Sequence, residues 1–357
     1  MLKESMKALV IGLIAVWLPL ALGQSSAKEA GYFRPMDEAL GQDPKAGWYK
    51  DRTELAKIFA KVRTKAGADF RTALAGWVGS DPRRHYWASA FLCCKDHLYG
   101  GTADLEFGLL LLVEGVECAG SDGEIEVPTR IAGAALAQRL GLKALAAAYK
   151  AKAEQMIRTD PVLKWSRPAL EDEGDAAYDE IPLGQALPST TGPADPVKPV
   201  PATQAEASFS ELQKAVGLDG AGWAGDKRKL SDLFAKERRR LGDAFPAALM
   251  KFVAGDAKRH FWASAFLTVQ EYLHGEPPKP QLGLLLLADG LACSNLTEDD
   301  GLTIRAVASV QAYRLGLMSL ASANKSWVEK AIREDPRRKY AFPALDSEES
   351  QIYEKIK

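Results

Sequence analysis

Apolar residues recur at intervals of three and four along most of the chain. In the segment that begins at Asp51, the residues Leu55, Ile58, Phe59 and Val62 fall on one stripe, and lysines and arginines occupy the opposite side. This is the pattern of an amphipathic helix that packs on a core. No stretch sustains the two-residue alternation that indicates a strand. The sequence therefore predicts an all-α protein.

One nine-residue stretch occurs twice with a single change: RHYWASAFL begins at Arg84, and RHFWASAFL begins at Arg259. The same offset aligns GLLLLVEGVEC with GLLLLADGLAC and QRLGL with YRLGL. Roughly 50 of about 135 aligned positions are identical, which indicates an internal duplication. The sequence predicts two tandem homologous multi-helix domains, helical-hairpin or solenoid-like, at residues 33–181 and 209–357.

Residues 182–208 separate the two units and are rich in proline, alanine and threonine, with no aromatic residue. Such a segment has too little apolar surface to form a core, and its prolines favour extended backbone. We interpret it as a Pro-rich linker. The pattern leaves open whether the units move independently or dock face to face.

The N-terminus has the layout of a secretory signal peptide. Lys3 and Lys7 precede an apolar run from Ala8 to Leu22, which small residues follow. The run is shorter than the roughly 20 residues of a membrane-spanning helix. We expect residues 1–23 to be removed, residues 24–32 to form an N-terminal segment, and the mature protein to be periplasmic or extracellular without stable membrane insertion. The alternative is a retained membrane anchor.

Charge and motifs exclude several classes of function. The 46 Lys and Arg residues balance 47 Asp and Glu residues, so no basic surface for nucleic acid is indicated. The chain has no HExxH, GxSxG, P-loop or dinucleotide-binding motif, and the acidic loops near Asp122 and Asp299 lack the ligand pattern of a calcium site. We therefore expect no cofactor and no metal, and we favour a protein without enzymatic activity over an enzyme.

The four cysteines fit no zinc or haem spacing. Cys118 and Cys293 are equivalent in the two units, whereas Thr268 and Val269 stand where the first unit has Cys93 and Cys94. Small buried residues are the favoured interpretation. A disulfide from Cys93 or Cys94 to Cys118 is the alternative.

The repeated stretch itself predicts a buried helix. Asp81 and Asp256 are placed to cap its N-terminus, and no charge follows between Tyr86 and Cys94. A helix that is apolar most of the way round is usually buried. We therefore interpret the repeated stretch as core rather than as a working site kept in two copies.

Polar residues near this helix form the main candidate site. Glu114 and Asp289 interrupt apolar helices, and a buried carboxylate needs a partner. We expect a polar network in each unit, with a structural role favoured over a catalytic one. The candidate residues are His85, Glu114 and Arg139 in the first unit and His260, Asp289 and Arg314 in the second.

A helix, a turn at Gly141, a second helix and then Asp160-Pro161 resembles the hairpin of tetratricopeptide-repeat proteins. The resemblance covers Arg130 to Pro161 and Arg305 to Pro336, and it departs from that family because no 34-residue period runs along the chain. It implies a helical scaffold that binds a partner.

These observations favour an exported, non-catalytic helical protein that binds a protein or peptide, or serves as a scaffold. Aromatic side chains exposed between helices would form the contact surface. The candidates are Trp48, Trp77, Trp223 and Phe252. Two alternatives stay open: an enzyme with an inter-helix pocket that uses His85 or His260 with a nearby carboxylate, and an architectural component of an envelope.

Overall fold

A computed structural model describes residues 31–41, 51–120, 122–168, 170, 172–182, 209–217, 225–343 and 345–357. These residues form helices and connecting turns, with no strand among them, so the all-α prediction is confirmed. The expected signal peptide, most of the expected linker, Trp48 and Trp223 lie outside the described residues.

The first half contains eight described α-helices that are connected by turns and short 3₁₀ segments. They are α1 Arg34–Leu40, α2 Arg52–Ala66, α3 Phe70–Val78, α4 Pro82–Cys93, α5 Leu105–Ala119, α6 Gly123–Arg139, α7 Lys143–Thr159 and α8 Asp172–Asp179. The 3₁₀ segments are Gly67–Asp69, Lys95–His97 and Pro161–Ser166.

The second half presents the same order of helices among its described residues. They are α9 Ser210–Val216, α10 Lys227–Leu241, α11 Phe245–Val253, α12 Ala257–Thr268, α13 Pro280–Leu291, α14 Glu298–Arg314, α15 Met318–Glu334 and α16 Ser347–Lys355. Helices α10, α11, α12, α14 and α15 have the lengths of α2, α3, α4, α6 and α7. Helices α2 to α8 thus have counterparts that begin 175 positions later, and α1 has its counterpart α9 176 positions later.

Aspartates fix where several helices begin. The side chain of Asp81 accepts hydrogen bonds from the first N–H groups of α4, as the sequence predicts, and Asp256 does the same for α12. Helix α6 begins at Gly123 because the side chain of Asp122 caps it. Pro128 lies inside the helix, where it removes one backbone donor.

Helices α6 and α7 form an antiparallel hairpin in the first half, and α14 and α15 form its counterpart. The turn glycines Gly141 and Gly316 have φ of 78° and 79°, a left-handed backbone that favours glycine. Both turns face the opposite half. A Cβ added to Gly141 would lie 3.0 Å from Met250, and one added to Gly316 would lie 3.2 Å from Ala75.

The two halves dock against each other. One continuous cluster of buried apolar residues includes side chains from both. The leucine-rich helices α5 and α13 touch, α5 contacts α15, and α13 contacts α7. These contacts are reciprocal, as in an isologous dimer interface, but both partners belong to one chain. In the part of the chain described here, no helix has the length and apolar character needed to cross a membrane.

Candidate functional site

Two glycines allow the repeated helices to approach their neighbours closely. A Cβ on Gly115 of α5 would lie 2.9 Å from Cβ of His85 on α4, and a Cβ on Gly290 of α13 would lie 2.9 Å from Cβ of His260 on α12. Real side chains do not tolerate so short a contact. The glycines therefore let each histidine reach the carboxylate one residue earlier in the facing helix.

Each histidine is fully buried and uses both ring nitrogens. In His85, Nδ1 lies 2.8 Å from the backbone oxygen of Asp81, and Nε2 lies 3.0 Å from Oε2 of Glu114. In His260, the corresponding distances are 2.8 Å to the oxygen of Asp256 and 2.6 Å to Oδ2 of Asp289. The structure thus brings together the predicted histidines and carboxylates in both halves.

The second oxygen of each carboxylate caps a helix of the opposite half. Oε1 of Glu114 accepts hydrogen bonds from the backbone N–H groups of Ser319 and Leu320, at 2.8 and 3.3 Å. Oδ1 of Asp289 accepts one from the N–H of Leu145, at 2.6 Å. The first N–H groups of a helix lack intrahelical partners.

The helices capped in this way have no side-chain cap of their own. Leu142 precedes α7 and Leu317 precedes α15, and a leucine side chain accepts no hydrogen bond. A carboxylate at a helix N-terminus also interacts favourably with the helix dipole. Each half therefore supplies the cap that the other half's helix needs.

The ring of His260 lies in a strongly polarising environment. Burial disfavours its charged form, but the Asp289 carboxylate and the Cys293 sulfur outweigh burial and raise the pKa of His260 to about 10. Nδ1–H donates to the backbone oxygen of Asp256, so the imidazolium can donate from both nitrogens. At neutral pH the pair is a buried imidazolium–carboxylate bridge.

The two expected arginines do not join these pairs. Nη2 of Arg139 donates to Glu173 at 3.2 Å, and Nη2 of Arg314 donates to Glu348 at 3.0 Å. Both arginines end their helices, and their side chains are 23% and 24% exposed. Backbone N–H groups of the opposite half, and not these arginines, bind the second oxygen of each carboxylate.

Trp77 and Phe252 are not exposed contact residues, and this prediction was wrong. They are 8% and 5% exposed, and they stack on Phe33 and Phe209 with ring centroids 4.8 and 5.1 Å apart. Nε1 of Trp77 donates to Asp37. Their rings pack against the starts of the short helices α1 and α9. The sequence did not predict this contact.

The cysteines carry free thiols in the structure, and Cys93 and Cys293 are buried. Burial raises the pKa of Cys93 to about 12 and that of Cys118 to about 11. Because the thiolate is the nucleophile, neither thiol is activated at neutral pH. Within the described residues, no group of three or more His, Cys, Asp or Glu side chains is arranged to hold a metal ion.

A cavity of about 820 Å³ opens in the first half beside helix α4. Its walls come from α4, α6, the turn around His97, residues Trp165 to Pro168, Leu170 and Gly174. Ala88, Phe91 and Leu92 of α4 face the core, while Tyr86 and Trp87 are half-buried and line the cavity. The repeated stretch is therefore core on one side and cavity wall on the other.

The cavity walls are strongly biased towards positive charge. The described lining contains four arginines against one glutamate, Glu124. The arginines are Arg52, Arg83, Arg139 and Arg167. Aromatic rings of Tyr86, Trp87 and Trp165 complete the walls, and Trp165 is 80% exposed at the rim.

His97 lines the cavity, and its ring contains an unsatisfied polar atom. Its Nδ1 is buried and has no hydrogen-bond partner among the described residues. The ring packs edge-on against Phe91, with centroids 5.6 Å apart. Buried polar atoms without a partner are uncommon in proteins.

Some counterparts of the cavity residues in the second half are larger or form bonds that the first half does not have. Val307 and Val310 replace Ala132 and Ala135. Phe342 replaces Arg167 and packs edge-on against Tyr353, with centroids 5.3 Å apart. The two valines add side-chain volume where the first half has alanine. A comparison of the two copies in the sequence could have found these two replacements.

Two further hydrogen bonds occur at the equivalent place of the second half. Gln311, which replaces Leu136, donates to Thr268 at 3.3 Å. Thr303, which replaces Pro128, donates to the backbone oxygen of Ala341 at 2.8 Å. This bond connects α14 to the chain that follows α15. The two halves share helices but differ where the first has its cavity.

Comparison with known proteins identifies no relative. No family model matches the chain. No curated protein and no solved structure matches it either.

Proposed function

We propose that the protein is an exported, non-catalytic binding protein that holds part of a protein or peptide partner in the cavity of its first half. The second half then serves as a scaffold that caps and supports the first. The proposal builds on the difference between two halves that are otherwise alike.

That difference is the observation that carries the proposal. Ala132 and Ala135 leave space on α6, whereas Val307 and Val310 occupy the same positions on α14. A cavity of about 820 Å³ lies within the range of binding pockets, and its combination of aromatic walls and a few polar groups is typical of such sites. Close packing alone would favour valine over alanine at these two positions.

The chemistry of the buried pairs supports a role without catalysis. Both ring nitrogens of His85 and both carboxylate oxygens of Glu114 are bonded to protein groups, and neither side chain is exposed to solvent. A general acid or base must reach the proton of a substrate. The thiol of Cys93, which lines the cavity, has a raised pKa and is a poor nucleophile at neutral pH.

Two features of the sequence agree with this role. The apolar run behind Lys3 and Lys7 has the layout of an export signal, and the hairpins resemble those of tetratricopeptide-repeat proteins, which implies partner binding. Export also fits the docked halves, since one larger core resists unfolding better than two small ones.

The test is recovery of a partner with and without the cavity. The tagged full chain is expressed in its native host, lightly cross-linked, purified and analysed by quantitative mass spectrometry. Ala132→Phe places a ring in the cavity, and Val307→Phe is the matched control at the equivalent, equally half-buried position of the second half. We expect Ala132→Phe to lower partner recovery at least tenfold and Val307→Phe to leave it unchanged.

Thermal unfolding of both variants checks that they are folded. Equal partner recovery from the wild-type chain and from a folded Ala132→Phe variant would overturn the proposal.

A further inference from the structure

Within the described residues, the second half has a carboxylate at a position where the first half has a glycine. Arg314, the counterpart of Arg139, lies 3.0 Å from Glu348 and 3.8 Å from Glu349. Glu348 corresponds to Glu173, which pairs with Arg139. Glu349 corresponds to Gly174, which has no side chain and lines the cavity. Among the described residues, Arg139 thus has one carboxylate partner where Arg314 has two.

Glu349 is held in a largely buried position by Arg314 and by the start of α16. It is 8% exposed, and its carboxylate accepts a hydrogen bond from the backbone N–H of Asp346 in a capping box. A buried carboxylate needs such partners. Glu349 therefore indicates what kind of group fits beside the terminal arginine of this hairpin.

The arginines of the cavity keep donors for such a group. Nη2 of Arg83 approaches Asp122 only at 3.5 Å, and Arg139 makes one bond, to Glu173. Each guanidinium has five N–H donors, and the contacts with the described residues use only some of them.

The other two arginines lie against ring faces instead of carboxylates. The guanidinium carbon of Arg52 lies 4.9 Å from the ring centroid of Trp87, and that of Arg167 lies 5.1 Å from that of Tyr178. Within the described residues neither forms an ion pair. Stacking on a ring orients the guanidinium and leaves its edge free to bind an anion.

We infer that the cavity recognises an organic carboxylate with an aromatic or apolar body. The arginines bind the carboxylate, and Tyr86, Trp87 and Trp165 enclose the body. The carboxylate belongs to the C-terminal residue of a peptide or to a free organic acid. This inference rests on the proposed function, since it names the ligand chemistry of the same cavity.

The experiment compares acids with their amides on the full mature chain. The probes are 4-phenylbutyrate against 4-phenylbutyramide, and acetyl-Gly-Gly-Phe with a free against an amidated C-terminus. Binding is measured by calorimetry and by tryptophan fluorescence, since Trp165 lies at the rim. We expect at least one acid to bind ten or more times more tightly than its amide. Preference for the peptide acid or for phenylbutyrate identifies the source of the carboxylate.

Two matched pairs of variants test the assigned residues. Arg139→Leu should weaken binding of the acid at least tenfold, whereas Arg314→Leu at the equivalent position of the second half should change it less than twofold. Gly174→Glu supplies the second-half carboxylate and should abolish acid binding, whereas Gly174→Gln, of the same size but uncharged, should weaken it less. Thermal unfolding verifies that each variant is folded.

Several outcomes would overturn the inference: acids and amides that bind equally, a folded Arg139→Leu variant with unchanged affinity, or no binding of either acid at millimolar concentration. Failure of the proposed function looks different. If the Ala132→Phe variant no longer binds a partner or a neutral ligand, the cavity is a binding site but its ligand is not a carboxylate. If the Ala132→Phe variant still binds the partner, the cavity is not the binding site.

Discussion

The carboxylate of Glu114 accepts a hydrogen bond from the backbone N–H of Ser319, 205 residues further along the chain. Its other oxygen faces Nε2 of His85 within its own half. One side chain thus connects the core of the first half to the start of a helix in the second. Asp289 makes the corresponding connection in the opposite direction, through Leu145.

Replacing Glu114 by alanine should strongly destabilise the fold. The change leaves His85 without its partner and removes the cap of α15, and loss of one member of a buried pair costs about 3–5 kcal/mol. Urea unfolding followed by circular dichroism measures the change in the free energy of unfolding. Glu117→Ala, at an exposed position of the same helix, serves as control and should have little effect. A loss below about 1 kcal/mol for Glu114→Ala would contradict the bridging role.

The contribution of His260 to stability should depend on pH. Its pKa rises from the ordinary 6.5 to about 10 in the folded chain, so the folded state binds the proton more tightly than the unfolded state. The stabilisation is fully present below about pH 6.5 and is lost as the pH rises towards 10. The polar side chains that contact its ring are Asp289 and Cys293.

The measurement for His260 is the free energy of unfolding of the wild type and of His260→Gln between pH 6 and 10. The difference between them should shrink steadily as the pH rises. A difference that stays constant over this range would rule out a charged pair.

A methyl group at Gly115 should separate α5 from α4. The new Cβ would lie 2.9 Å from Cβ of His85, so Gly115→Ala forces the helices apart and should cost about 1–3 kcal/mol. Gly301, near the start of α14, is the control, because its nearest neighbour would be the flexible side chain of Leu296 at 3.6 Å. Gly301→Ala should be neutral or stabilise by about 0.5–1 kcal/mol. Equal effects of the two changes would refute the close approach.

The halves should stay together after the chain between them is cut. A specific protease site inserted between residues 183 and 208 allows cleavage of the folded protein. Because one apolar core passes through both halves and each caps a helix of the other, the cleaved protein should elute as one species in size-exclusion chromatography. Glu114→Ala combined with Asp289→Ala should promote separation. Two peaks from the cleaved wild type would show that the docking is weak.

The sequence by itself determined the helical class, the hairpins and the residues of the buried pairs. The reasons are local: a period of three to four in the apolar positions, an aspartate before α4 and a glycine between α6 and α7 each act through their neighbours in the chain. A carboxylate among leucines, as at Glu114, also reveals on its own that it needs a partner.

Only the tertiary structure decided which partner each carboxylate has and where space is left. Arg139 was a reasonable partner for Glu114, but the docking of the halves supplies backbone N–H groups of α15 instead. Trp77 was expected at the surface, and α1 covers it through Phe33. The cavity depends on how Ala132, Trp87 and Gly174 meet from three separate segments. These outcomes follow from contacts between residues far apart in the chain, which local periodicity does not record.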